Sequence, residues 1–144
     1  MAARVSFYVV LLFLCIGTLS SAQDQKSQVK IAPAKPTSAA SGQEMYASYC
    51  AACHGKDGKG SGPAASSLKT PPPDLTLLSK NNGGEYPAKK VMNILLGKTE
   101  VVSHGNREMP VWGPIFRAIS NGHEAEVQLR VTNLNDYLKS IQVH

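Results

Sequence analysis

The sequence predicts an all-α fold: three to four short helices and two long loops wrapped around one large apolar group. Three observations lead there. No stretch alternates apolar and polar residues as a half-buried strand would, and no segment repeats. Helix starts and stops recur, but runs rich in Gly, Pro and Ser separate them, and such runs cannot pack by themselves. The 144 residues also hold only nine aromatic side chains, three Phe, five Tyr and one Trp. A loop-rich domain of about 100 residues is hard to stabilise from so little. The centre needs something large that side chains do not supply.

The elements follow in order. Arg4 is the only charged side chain before Asp24, and a short apolar stretch ending in Ser20-Ser21-Ala22 lies between them. One basic residue, a core shorter than the ~18–20 residues that span a bilayer, and a small-residue site describe a secretory signal peptide, residues 1–22. An uncleaved membrane anchor is the alternative. Residues 23–41 are rich in Pro, Ala and Ser without apolar periodicity, which reads as a flexible linker. The folded domain is expected over 42–144. Ser41 and Glu44 form a capping box, so a helix starts there and delivers Cys50 and Cys53 at its C-terminal end, where Gly55 stops it.

About twenty residues rich in Gly, Ser, Lys and Pro come next, a loop long enough to be functional. A short helical turn is expected after Asp74, started by the prolines before it, and Asn81 to Glu85 form a turn. Pro87 opens a second helix, which Gly97 ends, with Val91, Ile94 and Leu95 on one face. Residues 98–120 read as loop, with Gly105, Pro110, Gly113 and Pro114 as breakers. The last helix is the clearest. Asn121 and Glu124 are its expected cap and partner, and Val127, Val131, Leu134, Leu138 and Ile141 form one stripe.

Residues 50–54 read C-A-A-C-H. Loss of the signal would also remove Cys15, leaving Cys50 and Cys53 as the only cysteines. A bridge between them closes a four-residue loop and constrains almost nothing, so a structural staple is a poor reading. A redox dithiol at this spacing belongs in βαβ surroundings, which are absent. A zinc site needs four ligands, and His54, His104, His123 and His144 lack finger-like spacing. Covalent attachment of haem uses every residue of the motif. Two thiols add to two vinyl groups, and the adjacent His54 falls under the iron as axial ligand.

With those residues in place, the stretch from about Gly42 to Gln142 resembles a bacterial class I, single-haem cytochrome c. The matching features are Gly42 and Tyr46 ahead of C-A-A-C-H, G-S-G-P at 60–63, P-P-D-L-T at 72–76, H-G-N-R-E-M-P-V-W-G at 104–113, and a last helix with Leu134, Tyr137 and Leu138. The resemblance implies one haem c held through two thioethers, with the first and last helices crossing at Gly42 and Tyr46 against Leu134 and Tyr137. It also implies that the Pro63 carbonyl receives the hydrogen bond of the ligand histidine. For the sixth iron ligand the residues leave Met92, His104 and Met109 in play. Met92 belongs to a helix face that reads as core. Pro110 restricts Met109 to an extended backbone, and Met-Pro is what the resembling family shows at its ligand, so the resemblance points to Met109. Trp112 is expected to pack over the haem edge.

A His/Met-ligated iron has no open position for substrate and suits electron transfer. The expected function is an exported, periplasmic one-electron carrier in a respiratory chain, not an enzyme and with no small-molecule substrate. Its donor would be a membrane quinol-oxidising complex or a dehydrogenase, its acceptor a terminal oxidase or reductase. The alternative is a cytochrome subunit held within a larger oxidoreductase complex. The formal net charge of +5 does not signal nucleic acid. From Gln43 onward 11 Lys and Arg face 9 Asp and Glu, leaving +2, and no basic stripe is interleaved with aromatics.

Overall fold

Ser41 starts the first helix. Its Oγ accepts from the Glu44 N–H at 3.1 Å, and the Glu44 carboxylate accepts from the Ser38 N–H at 3.3 Å. The capping box is thus extended upstream by three residues rather than closed on Ser41 itself. The computed structural model describes residues 36–99 and 109–143, all within one compact unit. The expected signal peptide and most of the expected linker lie outside the described residues.

The first helical rod has three consecutive pieces: α1 (Gly42–Met45), a π-helical turn (Tyr46–Cys50) and α2 (Ala51–His54). A π turn adds one residue to the circuit, a rotation of about 100° relative to a regular helix. It separates a face holding Gly42, Met45 and Tyr46 from one holding Cys50, Cys53 and His54. Gly55, at φ 79°, ends the rod. Three 3₁₀ turns follow, at Ala65–Ser67, Leu75–Leu77 and Lys80–Asn82. Then come α3 (Ala88–Leu96), α4 (Trp112–Ile119) and α5 (Glu124–Ser140). Among the described residues there is no strand, and the fold is all-α as the sequence predicts.

The core sits where α1 crosses α5. A Cβ on Gly42 would fall onto the Asn133 carbonyl oxygen and 2.8 Å from Tyr137 Cβ, so only glycine lets the two backbones meet. Beside it the Tyr46 and Tyr137 rings lie 5.2 Å apart, and the Tyr46 hydroxyl donates to the Gly55 carbonyl at 2.7 Å. The α5 stripe faces inward: Val127, Val131 and Leu134 are fully buried and Leu138 nearly so. Each such side chain contributes about 1.5–3 kcal/mol. From α3, Val91 and Leu95 enter the core and Met92 packs against it, while Ile94 is only half-buried.

Four expectations need correction. Residues 112–119 are helix α4, not loop. Gly113 and Pro114 fall in its first turn, where a missing N–H costs nothing, and a Cβ on Gly113 would come within 2.8 Å of the Leu96 carbonyl. Asn121 does not cap α5. It stands in left-handed geometry at φ 51° and closes α4, with its own N–H on the Ala118 carbonyl and the Gly122 N–H on the Arg117 carbonyl. His123 holds the cap position of α5. The turn after Asp74 is started by Asp74 itself rather than by the prolines before it: its carboxylate accepts from the Thr76 N–H at 2.8 Å and Oγ1 at 2.6 Å.

The fourth correction concerns the linker, which does not run to residue 41. Thr37 is buried. Its carbonyl accepts from Arg130 Nη1 at 2.9 Å and its hydroxyl lies 2.9 Å from the Tyr49 hydroxyl, while Asn133 holds the Ala39 carbonyl. Arg130 itself is buried. It is neutralised by Glu126 at 2.7 Å and satisfied further by Ser120 Oγ, as a buried guanidinium must be.

Candidate functional site

The C-A-A-C-H turn opens onto a cleft holding about 580 Å³ of space, part of it continuous with solvent. Cys53 and His54 line it from α2, and Tyr49 and Cys50 from the π turn before. Leu68, Thr70, Pro72 and Pro73 come from the long loop, and Met109, Pro110 and Trp112 from the entry to α4. Most of these present carbon to the cleft. The lining suits an apolar group with a few polar anchors.

The loop reaches the site because its backbone folds back along α2. The Gly60, Gly62 and Ala64 N–H groups donate to the carbonyls of His54, Cys53 and Ala52 at 2.8–3.0 Å. These bonds satisfy the helix's last carbonyls, which have no intrahelical partner. A Cβ on Gly62 would overlap the Ala52 carbonyl, so the strand of loop can lie this close only without side chains. Pro63 is carried along the helix end and stays exposed. The carbonyl that faces His54 Nδ1, at a long 3.3 Å, is that of Pro73. The expectation placed the Pro63 carbonyl there, ten residues earlier. A carbonyl only accepts, so in this contact Nδ1 is the donor.

Cys50 and Cys53 are both unbridged thiols, the first buried and the second half-buried. Burial, with Cys53 adding to it, pushes the Cys50 thiol up to about 12, so it is protonated and poorly reactive in this folded chain. Among the described residues no three His, Cys, Asp or Glu side chains converge to hold an ion, so the motif's three residues are not set as a zinc site. Two thiols and one imidazole on the wall of an apolar cleft do fit a haem attached at both sulfurs.

Of the candidates for the sixth ligand, Met109 lines the cleft and is half-buried. Met92 packs against the core instead, and Met45 is fully buried with Arg130 Nη1 4.0 Å from its sulfur. His104 lies outside the described residues. Trp112 is buried at the cleft wall and stacks with Tyr49 at 5.2 Å and Phe116 at 5.7 Å. Sequence reasoning missed Tyr49, Leu68 and the Pro72–Pro73 wall. The only signal for them was the three-proline run itself, which no periodicity places.

The family model described as cytochrome c oxidase, cbb3-type, subunit III, matches residues 37–121. Its start coincides with the buried Thr37, and its end precedes α5. No curated protein and no solved structure matches the chain.

Proposed function

The chain belongs to the family of cytochrome c oxidase, cbb3-type, subunit III, and is a c-type cytochrome; on that premise we propose that it is a single-haem, exported one-electron carrier of a respiratory chain. The observation that carries the reading is the single cleft on which Cys50, Cys53, His54 and Met109 all border. Haem bound there supplies an iron that changes oxidation state with little change in ligation.

The chain's residues divide the work. Cys50 and Cys53 would tether the group from the cleft wall. His54 would offer Nε2 to the iron, with the Pro73 carbonyl 3.3 Å from its Nδ1. Met109 offers its sulfur from a backbone that Pro110 keeps extended. Trp112 and Tyr49 close the wall between them and exclude water, and the prolines and Leu68 cover the loop side. A Met109 sulfur on the iron would leave no coordination position for substrate, which favours electron transfer over catalysis.

The proposed donor is a membrane quinol-oxidising complex or a dehydrogenase, and the proposed acceptor a terminal oxidase or reductase. The domain's +2 is met by two haem propionates, roughly −2 at neutral pH given carboxyl pKa values near 4, so docking should depend little on net charge. The family's description favours a second reading, a cytochrome subunit held within an oxidase complex. Among the described residues no helix is long and apolar enough to cross a membrane.

An absorption spectrum with a redox titration, after acid–acetone extraction, tests the first reading. Haem retained by the polypeptide and a single one-electron wave are expected. Extractable haem, or carbon monoxide binding to the reduced protein, would overturn it. Co-purification with a catalytic oxidase subunit would favour the second reading.

A further inference from the structure

The last turn of α3 and the entry to α4 meet where neither partner has room for another side chain. Gly97 closes α3 in left-handed geometry at φ 71°, with its N–H on the Ile94 carbonyl and the Lys98 N–H on the Asn93 carbonyl. A Cβ on Gly97 would overlap Val111 Cγ1. A Cβ on Gly113 would stand 2.8 Å from the Leu96 carbonyl oxygen. Val111 and Gly113 therefore both rest on Leu96 and Gly97, at the end of α3.

Their neighbours face the other way. Met109, Pro110 and Trp112 line the cleft. Residues 109–113 thus have two sides, one seated on α3 and one on the cleft. Val111 is 51 % exposed and adds little to the core, yet its branch seats on Gly97. Between Val111 and Met109 the backbone has little freedom, since Pro110 has a fixed φ and holds Met109 extended. A displacement at Val111 is passed on to Met109 rather than absorbed.

We propose that the Gly97–Val111 contact positions Met109: the missing side chain at 97 lets Val111 seat on α3 and so sets where the Met109 sulfur stands in the cleft. The inference rests on the haem reading above, with that sulfur on the iron. Val111 is β-branched with one stiff torsion, so a methyl at 97 displaces the backbone at 111 rather than a flexible chain end. Removing the Val111 branch makes room again. The methyl would then meet Val111 Cβ at 3.5 Å, an ordinary contact.

The test measures imidazole binding to the ferric, haem-loaded full chain, where imidazole competes with Met109 for the iron, together with the near-red sulfur-to-iron band. Gly97→Ala should bind imidazole about tenfold more tightly, ~1.4 kcal/mol, and lose band intensity. Combining Gly97→Ala with Val111→Ala should bring the affinity back to within about threefold of wild type. Gly83→Ala is the control. Gly83 has nearly the same backbone, φ 70° and ψ 23° against 71° and 21°, and a Cβ there would meet nothing within 4 Å. It carries the same backbone strain and should leave band and affinity unchanged. Unmoved affinity in Gly97→Ala, an equal rise in Gly83→Ala, or no recovery in the double variant overturns the assignment. If Gly97→Ala does not fold, Val111→Ala alone decides: loss of the branch should tighten imidazole binding about threefold, and wild-type affinity overturns the contact. A wild-type protein without the near-red band overturns Met109 ligation itself, a failure seen before any variant is compared.

Discussion

Met109 and Tyr46 show how single side chains divide between site and scaffold. Met109 reaches the cleft while the other described methionines serve the core. Met109→Leu should keep the volume and remove the sulfur. We expect loss of the weak near-red sulfur-to-iron band, a lower potential and carbon monoxide binding by the reduced protein, with His104→Ala silent in all three. The reverse pattern would make the haem bis-histidine. Tyr46 makes a second, pH-dependent case. Burial, foremost, raises its phenol from the ordinary 10 to about 12. A group whose folded pKa is raised contributes stability that is complete below its unfolded value and is lost as pH rises through the folded one. Melting temperature should thus fall between about pH 10 and pH 12. Tyr86 is also raised by burial and adds to that slope. Tyr46→Phe should shrink the slope without abolishing it, measured by thermal melts across that range.

At the scale of elements, the helices that carry their own punctuation were legible. Ser41 with Glu44, Pro87 with Gly97, and the α5 stripe each stand where the sequence puts them, because local hydrogen-bonding and apolar spacing decide them. α4 was not legible, since Gly113 and Pro114 break helices everywhere except a first turn. That miss displaced the next boundary, making the closing Asn121 of α4 look like the opening cap of α5. In the candidate site, C-A-A-C-H was readable as chemistry. The Pro73 carbonyl was not, because it depends on how twenty loop residues fold back along α2. The crossing of α1 and α5 gives an element-level test. Gly42→Ala drives a methyl into the Asn133 carbonyl, and either α5 shifts or the crossing loosens. Such overpacking costs about 1–3 kcal/mol, read as a lower denaturant midpoint, with the Soret spectrum of surviving folded protein unchanged.

For the whole molecule, the cleft is the gap left in the core. The π turn, α2 and the entry to α4 line it from the helices, and Leu68, Thr70, Pro72 and Pro73 line it from the long loop, whose backbone is otherwise held along α2. Replacing both Cys50 and Cys53 by alanine should leave the chain largely unfolded, checked by loss of cooperative melting in circular dichroism. A cooperative transition near that of the loaded protein would show that the helices suffice alone.

The bond from Arg130 to Thr37 joins positions 93 apart, and Gly42 meets Asn133 almost as far along. A chain growing from its N-terminus therefore cannot shut its core until nearly all of it exists. His54 precedes Leu138 by 84 positions. At about 5–20 residues per second of synthesis, that distance lasts roughly 4–17 seconds. During this interval the thiols of Cys50 and Cys53 are exposed on an open strand, with neither the burial nor the raised proton affinity that silences Cys50 later. Closure of the core thus waits on two arrivals, the attached group and the last helix.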